Sequence, residues 1–212
     1  MKDRLYYMDV SVFEDEDFFR KAFDLQPQYR REKIKRMKYG KDMRLSLGAG
    51  FLLSWALLDR GIDSYDVAIS KEGKPYILDH PEVHFNLSHS GEKAMCIIGD
   101  SPCGCDIERI RDIDLKLSKR FFAPSEDEHI RNAEDPKMEF FRTWTMKESF
   151  IKATGEGFKR PLSSFEMVMG DRVHVKGEEE WFFHEPDIYG GYSSCCCTRS
   201  SEKPELLELS FE

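Results

Sequence analysis

Two stretches constrain what this chain can fold into more than any others. Residues 42–61, DMRLSLGAGFLLSWALLDRG, and 136–154, PKMEFFRTWTMKESFIKAT, each run for about five helical turns with apolar residues at helical spacing. Gly61 closes the first and Gly155 follows the second, as glycines do at helix ends. Helices this apolar must bury a face against other elements. Short candidate strands supply those elements at 1–10, 64–70, 83–91, 93–100 and 103–110, with four more between 163 and 200. Shorter helical patterns cover 14–24, 28–38, 115–122 and 124–132. Each half of the chain thus holds one long apolar helix followed by short strands, a loose rhyme with negligible sequence identity between the halves. The mix predicts an α+β protein with small antiparallel sheets.

The second long helix poses a problem. Phe141, Trp144, Glu148, Ile151 and Lys152 share one face, since residues three, four, seven and eight apart stack together. A carboxylate and an ammonium therefore sit in an apolar stripe, and half-burying them needs compensation. An ordinary i, i+4 pair between Glu148 and Lys152 explains the spacing. It does not explain the apolar face.

The bulk properties exclude several answers. A chain of 212 residues, 40% hydrophobic and 34% charged, suits one globular unit or two small lobes sharing a core. No apolar run approaches the ~20 residues that span a bilayer. The N-terminal MKDRLYYMDVSVFEDED lacks the apolar core of a signal peptide. A soluble, cytoplasmic protein with no membrane partner is expected. Of six cysteines, Cys195, Cys196 and Cys197 are contiguous, a poor disulfide framework, and Cys96, Cys103 and Cys105 lack the usual spacing of zinc ligands. They read as buried strand thiols. The net charge is −8, yet residues 30–44 hold eight Lys/Arg against two acids, +6, which leaves −14 for the remainder. An acidic protein with one basic segment is no general nucleic-acid binder. That segment suits one small polyanion, or is a solvated helix face.

CDIE places Asp106 and Glu108 on one face of a strand, with Ile107 turned to a core. Two neighbouring carboxylates repel unless a cation sits between them, and a hard divalent cation such as Mg²⁺ is the natural partner. Packing of the 136–154 helix across this strand lets Glu148 complete the cluster, with Lys152 one turn on, near a phosphate held by the same metal. FNLSHSG sets Ser88, His89 and Ser90 at a strand-to-turn break that suits an anion. No G-x-S-x-G elbow, P-loop, G-x-G-x-x-G or H-E-x-x-H is present.

GKPY (73–76), FNLSHSG (85–91), GCDIE (104–108), FF (121–122) and WTMKESFIK (144–152) with a following glycine pair occur in this order. Together they resemble the 4'-phosphopantetheinyl transferases, and more closely their larger single-chain, surfactin-synthetase-activating branch. The resemblance covers roughly residues 28–165. It implies transfer of 4'-phosphopantetheine from coenzyme A to a serine of an acyl or peptidyl carrier protein in fatty-acid, polyketide or peptide biosynthesis, with release of 3',5'-ADP. It also implies two similar α+β halves, 1–102 and 103–212, packed as an intramolecular pseudo-dimer, with the metal site in the second half and the ligand cleft between them. Carried over by position, Asp106, Glu108 and Glu148 hold Mg²⁺, or Mn²⁺ in its place. Glu148 and Lys152 are catalytic, the first as base and the second at the leaving group. Lys74, Ser88 and His89 contact coenzyme A, and Arg44 with some of Arg30, Lys33 and Arg36 holds the 3'-phosphate. The expected partners are coenzyme A and an apo carrier protein, and the expected state is a monomer. Cys105 stands where the family carries a β-branched residue, so packing is expected of it. The CCC run lies outside the family pattern, and its thiols should alternate along a strand. A metal-dependent phosphohydrolase or nucleotidyl enzyme could use the same carboxylates with water as acceptor, and a silent coenzyme-A-binding module is a further reading.

Overall fold

A computed structural model describes residues 2–211, apart from the side chain of Phe158; Met1 and Glu212, at the outer ends of the two expected halves, lie outside the described residues. The chain runs from β1 (Arg4–Asp9) through α1 (Glu16–Asp24) and α2 (Gln28–Lys35) into α3 (Gly40–Leu58). A hairpin of β2 (Val67–Ile69) and β3 (Pro75–Ile77) precedes β4 (His84–Ser90) and β5 (Lys93–Gly99). The remainder begins with β6 (Gly104–Arg109), α4 (Lys116–Phe121), α5 (Pro124–Asn132) and α6 (Pro136–Thr154). The pair β7 (Met167–Val168) and β8 (His174–Val175) follows, then β9 (Phe182–His184), β10 (Tyr192–Thr198) and β11 (Glu205–Glu208). This is the expected α+β mixture, and no helix of the described residues is long and apolar enough to cross a membrane.

The two long helices have local reasons to start and stop. Asp135 caps α6 by accepting from the backbone N–H groups of Lys137 and Met138, with Pro136 at the first helical position. Gly155 ends it at φ 78°, a left-handed conformation that side chains resist. Helix α3 ends at Leu58, and Gly61 reverses the chain just beyond it at φ 78°.

The strands repeat one order. In the first sheet β1, β5 and β4 lie side by side, each pair antiparallel; in the second, β6, β10 and β9 do the same. Each trio is first strand, third strand, second strand in chain order, with a 19-residue helix after the first. Two features depart from the sequence expectation. Strand β11, absent from it, returns to the first sheet beside β1, and this pairing is parallel. The segment ELLE is too short and too exposed to carry a clear period-two signal.

Helix α3 packs Leu47, Leu52, Leu53 and Leu57 on the first sheet around Tyr6, Met8 and Phe85. Helix α6 packs Met146 and Phe150 against Cys195, Cys197 and Trp181. Between the sheets a third cluster joins Leu5, Met95 and Ile97 to Cys105, Ile107 and Cys196. The three thiols of β10 thus alternate between two cores, and Cys105 packs beside Ile107, as the sequence suggests. All six cysteines are free and buried.

Candidate active site

The site grows from the contact of α6 with β6. A side chain at Gly104 would place its Cβ 2.1 Å from the Ser149 carbonyl oxygen and 2.4 Å from the Ala153 nitrogen. Only glycine admits the helix this close, and that approach brings Glu148 and Lys152 over the carboxylates of β6. Asp106 and Glu108, two apart on the strand, face the same cleft as Glu148.

Asp106 is 4% exposed. Its Oδ1 accepts from Lys152 Nζ at 2.6 Å and from Ser88 Oγ at 2.8 Å, while its buried Oδ2 has no partner. Glu108 is half-buried and accepts from Ser90 Oγ at 2.8 Å. Burial raises the Glu108 carboxyl above the ordinary range, with Asp106 adding to the effect against the Ser90 hydrogen bond. Burial likewise raises Glu148, followed by Asp106 and Glu108, with Lys152 opposing. Burial pulls the Lys152 ammonium down, but Asp106 and Glu148 outweigh it and its pKa is raised. The sequence suggested that Lys152 pairs with Glu148 one turn back. It reaches instead across the helix–strand contact to Asp106, 46 residues away in the chain.

The opposite wall is cationic. Arg30 of α2 is 6% exposed and its buried Nε has no partner. Lys33, one turn on, has its ammonium pushed down by burial and by Arg30. His89 is held below its ordinary value by desolvation and by the Lys152, Lys33 and Arg30 charges, which favours the neutral imidazole. Lys74, in the β2–β3 turn, donates to the carbonyls of Cys103 at 3.2 Å and Ala153 at 3.0 Å, fastening the hairpin to the start of β6 and the end of α6. Two adjoining compartments result. One of 530 Å³ is lined by Arg30, Lys33, His89 and the three carboxylates. The other, 680 Å³, shares Glu148, Lys152 and Trp144 with it and is walled by Phe121, Ile151 and Leu162.

The donor set fits a hard cation in kind: three carboxylates line one cleft, one buried oxygen is unclaimed, and burial, followed by like charge, lifts two of the acids. The geometry is not closed around an ion. Among the described residues no three of His, Cys, Asp and Glu stand close enough to hold one, and the Lys152 ammonium occupies the other oxygen of Asp106.

Comparison with known proteins places the chain in a family. The 4'-phosphopantetheinyl transferase superfamily model matches residues 102–196, from just before β6 into β10. A 4'-phosphopantetheinyl transferase of Bacillus subtilis is 34% identical over 190 residues, 85% of each chain. The 4'-phosphopantetheinyl transferase Sfp of Bacillus subtilis (strain 168) is 33% identical over 97% of this chain and 96% of its own. The 4'-phosphopantetheinyl transferase psf-1 of Bacillus pumilus is 46% identical over 144 residues, 65% of this chain and 62% of its own. The chain belongs to the 4'-phosphopantetheinyl transferase superfamily. Within it, the similarity to Sfp over nearly its whole length sets this transferase in the larger, Sfp-like branch.

The fold of the transferase gathers Lys74, Ser88, His89, Arg30, Lys33, Asp106, Glu108, Glu148 and Lys152 at the two compartments. Arg44 does not line either one; it pairs with Glu14 at 3.2 Å. Arg36 is turned to solvent, 3.9 Å from Glu32. The Ser88 hydroxyl donates to Asp106 and accepts from Lys152 and from the Ile107 N–H, so its capacity is used within the protein. Sequence reasoning gave no role to Lys147, the neighbour of Glu148. Its ammonium is wholly buried on Glu126, and no local pattern names a partner 21 residues away.

Proposed function

We propose that this transferase moves 4'-phosphopantetheine from coenzyme A to a serine of an apo acyl or peptidyl carrier protein, releasing 3',5'-ADP. The single observation that carries the reading is the meeting of two walls in one cleft. A buried, half-satisfied Asp106 with Glu108 and Glu148 stands on one side, and Arg30, Lys33 and His89 on the other. A pyrophosphate ester with a 3'-phosphate suits such a cleft: the cationic wall takes the phosphates, and the carboxylate side would hold a cation that offsets their charge.

Asp106, Glu108 and Glu148 would hold Mg²⁺, or Mn²⁺, and the ion would supply charge neutralisation at the pyrophosphate. Glu148, whose carboxyl burial raises above the ordinary range, takes the serine proton, directly or through one water. Lys152 leaves Asp106 for the phosphate oxygens and offsets the charge building on departing 3',5'-ADP. Arg30 and Lys33 hold the 3'-phosphate, with Arg44 joining them on release from Glu14. His89 and Lys74 flank the nucleotide. Ser88 reaches the phosphates through Lys152, which it already contacts. The repeated strand order supports reading residues 1–102 and 103–212 as a pseudo-dimer with the ligand cleft at the seam. A cytoplasmic monomer serving fatty-acid, polyketide or peptide carriers completes the proposal.

The test is incubation with coenzyme A, Mg²⁺ and a panel of apo carrier proteins, read by intact mass. One phosphopantetheine is gained on a carrier serine, and Asp106→Ala abolishes the gain. Cleavage of coenzyme A with no gain on any carrier would favour the phosphohydrolase reading, which membership of this family speaks against. Near-wild-type transfer by Asp106→Ala would sink the metal assignment.

A further inference from the structure

Strands β4 and β6 are the facing edges of the two sheets, and no backbone ladder joins them. In an antiparallel pair alternate residues turn their N–H groups away from the partner, and at an edge these are left unpaired. In β6, paired on its other side with β10, side chains of β4 catch three of them. Asn86 Oδ1 accepts from Cys105 N at 2.9 Å, Ser88 Oγ from Ile107 N at 3.3 Å, and Ser90 Oγ from Arg109 N at 3.1 Å. The steps are two residues on each strand and run in the same direction, so the polar edge N-x-S-x-S reproduces a parallel ladder with side chains. A one-residue slip would put Leu87 and His89 in its place.

The two hydroxyls do more than hold the seam. A serine oxygen pinned by a backbone N–H has its own O–H left to give. Ser88 gives it to Asp106 Oδ1 and Ser90 gives it to Glu108 Oε2, each at 2.8 Å. Each hydroxyl therefore ties a carboxylate to the backbone of the residue that follows it in β6. With one oxygen of each acid held, the rotamer is fixed and the other oxygen is aimed.

We infer that Ser90 and Ser88 are positioning residues: the side-chain ladder of β4 sets the register of β6 and aims Glu108 and Asp106 into the cleft. The inference rests on the metal reading given above, because the aim matters only if those carboxylates take a cation. Partners of this kind behind ligating groups typically govern metal affinity by ~10–100-fold. Ser90 is the cleaner probe, since it ends β4, is half-buried and bonds to Glu108 and Arg109, whereas Ser88 is buried and also accepts from Lys152.

The experiment is Mn²⁺ binding to the coenzyme-A-free enzyme, followed by the electron paramagnetic resonance signal of free Mn²⁺, for wild type, Asp106→Ala, Ser90→Ala and Ser90→Thr. Thermal melts and the Mg²⁺ dependence of transfer accompany it. Ser90→Ala should bind Mn²⁺ about tenfold more weakly. It should need correspondingly more Mg²⁺ for transfer and, once Mg²⁺ is saturating, keep the wild-type KM for coenzyme A. Ser90→Thr, which keeps the hydroxyl, should restore both. Wild-type Mn²⁺ affinity in Ser90→Ala, or a loss that threonine does not restore, overturns the inference while Asp106→Ala still reports a real metal site. Wild-type Mn²⁺ binding in Asp106→Ala overturns the metal reading itself, and the inference with it.

Discussion

Helix α6 carries two lysine–carboxylate pairs, one buried and one half-buried, five residues apart and about 140° around the helix from each other. Lys147 is 0% exposed and Glu126 1%. The three donors of Lys147 reach both oxygens of Glu126, at 2.5 and 2.6 Å, and the Phe165 carbonyl at 2.7 Å. Glu126 also accepts from the backbone N–H of Ala123 and of Met167, at 2.7 Å each. Every donor of that ammonium and both oxygens are used, and the ring of Phe165 lies 4.4 Å from the charge. At the other pair Lys152 is 27% exposed, two partners take its ammonium, and Asp106 keeps one buried oxygen unclaimed. Similar ions on one helix thus do different work. The closed network joins α5 and the segment before β7 to α6, and the open one leaves coordination free for a ligand.

The largest expected effect breaks the closed pair. Lys147→Met strands Glu126 in the interior, and removing one partner of a buried pair typically lowers stability by about 3–5 kcal/mol. Urea unfolding measures it, and added Mg²⁺ should not recover the loss, because no site for it exists at Glu126. A Lys147→Met protein of normal stability but without transfer would erase the distinction drawn between the two pairs.

Lys152→Met should behave in the reverse way. An interaction made mainly in the transition state is read in kcat rather than KM, and losing one charged donor of this kind typically lowers the rate ~10²–10³-fold. Methionine keeps most of the stem, and with Mg²⁺ present to accompany Asp106 the stability should change by less than about 1.5 kcal/mol. Steady-state transfer to an apo carrier, run beside melts with and without Mg²⁺, checks both halves. Normal kcat with a large, Mg²⁺-insensitive loss of stability would make Lys152 a structural partner like Lys147.

Much of this contrast was legible in the sequence, but not all of it. The stripe Phe141, Trp144, Glu148, Ile151 and Lys152 announced charges on an apolar face, because helical period is a local property. So did D-x-E, because strand period is local too. Gly155 marked the end of α6, another local signal, whereas the close approach that Gly104 permits carries no local period. What period cannot supply is the partner across space. Lys152 finds Asp106 and Lys147 finds Glu126 only once α6 crosses β6 and α5 folds back. The +6 segment shows the same limit: Arg30 goes into the cleft wall while Arg44, on the next helix, is taken by Glu14. Strand β11 was missed because an exposed four-residue edge strand has too little pattern to detect, and Ser88 and Ser90 read as a strand-to-turn break, whereas β4 runs unbroken to Ser90 and uses them as rungs.

The smallest effect, that of Glu148→Gln, is the sharpest, because beside Glu126→Gln it predicts opposite signs for the same chemical change. Glu126→Gln should lower the melting temperature near neutral pH, since it removes the charge that Lys147 needs. Glu148→Gln in metal-free buffer should raise it. Burial, then Asp106 and Glu108, lifts the Glu148 carboxyl above its unfolded value. A raised folded pKa means the ionised form is disfavoured in the fold, so above that pKa the charge detracts from stability. Below the ordinary glutamate value of ~4.3 the carboxyl is protonated in both states and the penalty is gone. The gain from glutamine should therefore be present at pH 7–8 and fade as the pH falls through the raised pKa toward that value. For a chain of this size each kcal/mol relieved should appear as about 2–4 °C. Mg²⁺ with coenzyme A should shrink or reverse the difference, because a ligand that binds through Glu148 stabilises the wild type alone. Matched melts of the two variants across pH, with and without Mg²⁺ and coenzyme A, decide it. A Glu148→Gln protein that melts below wild type at neutral pH, as Glu126→Gln should, would mean that Glu148 is already satisfied in the free enzyme and is no more open to a ligand than Glu126.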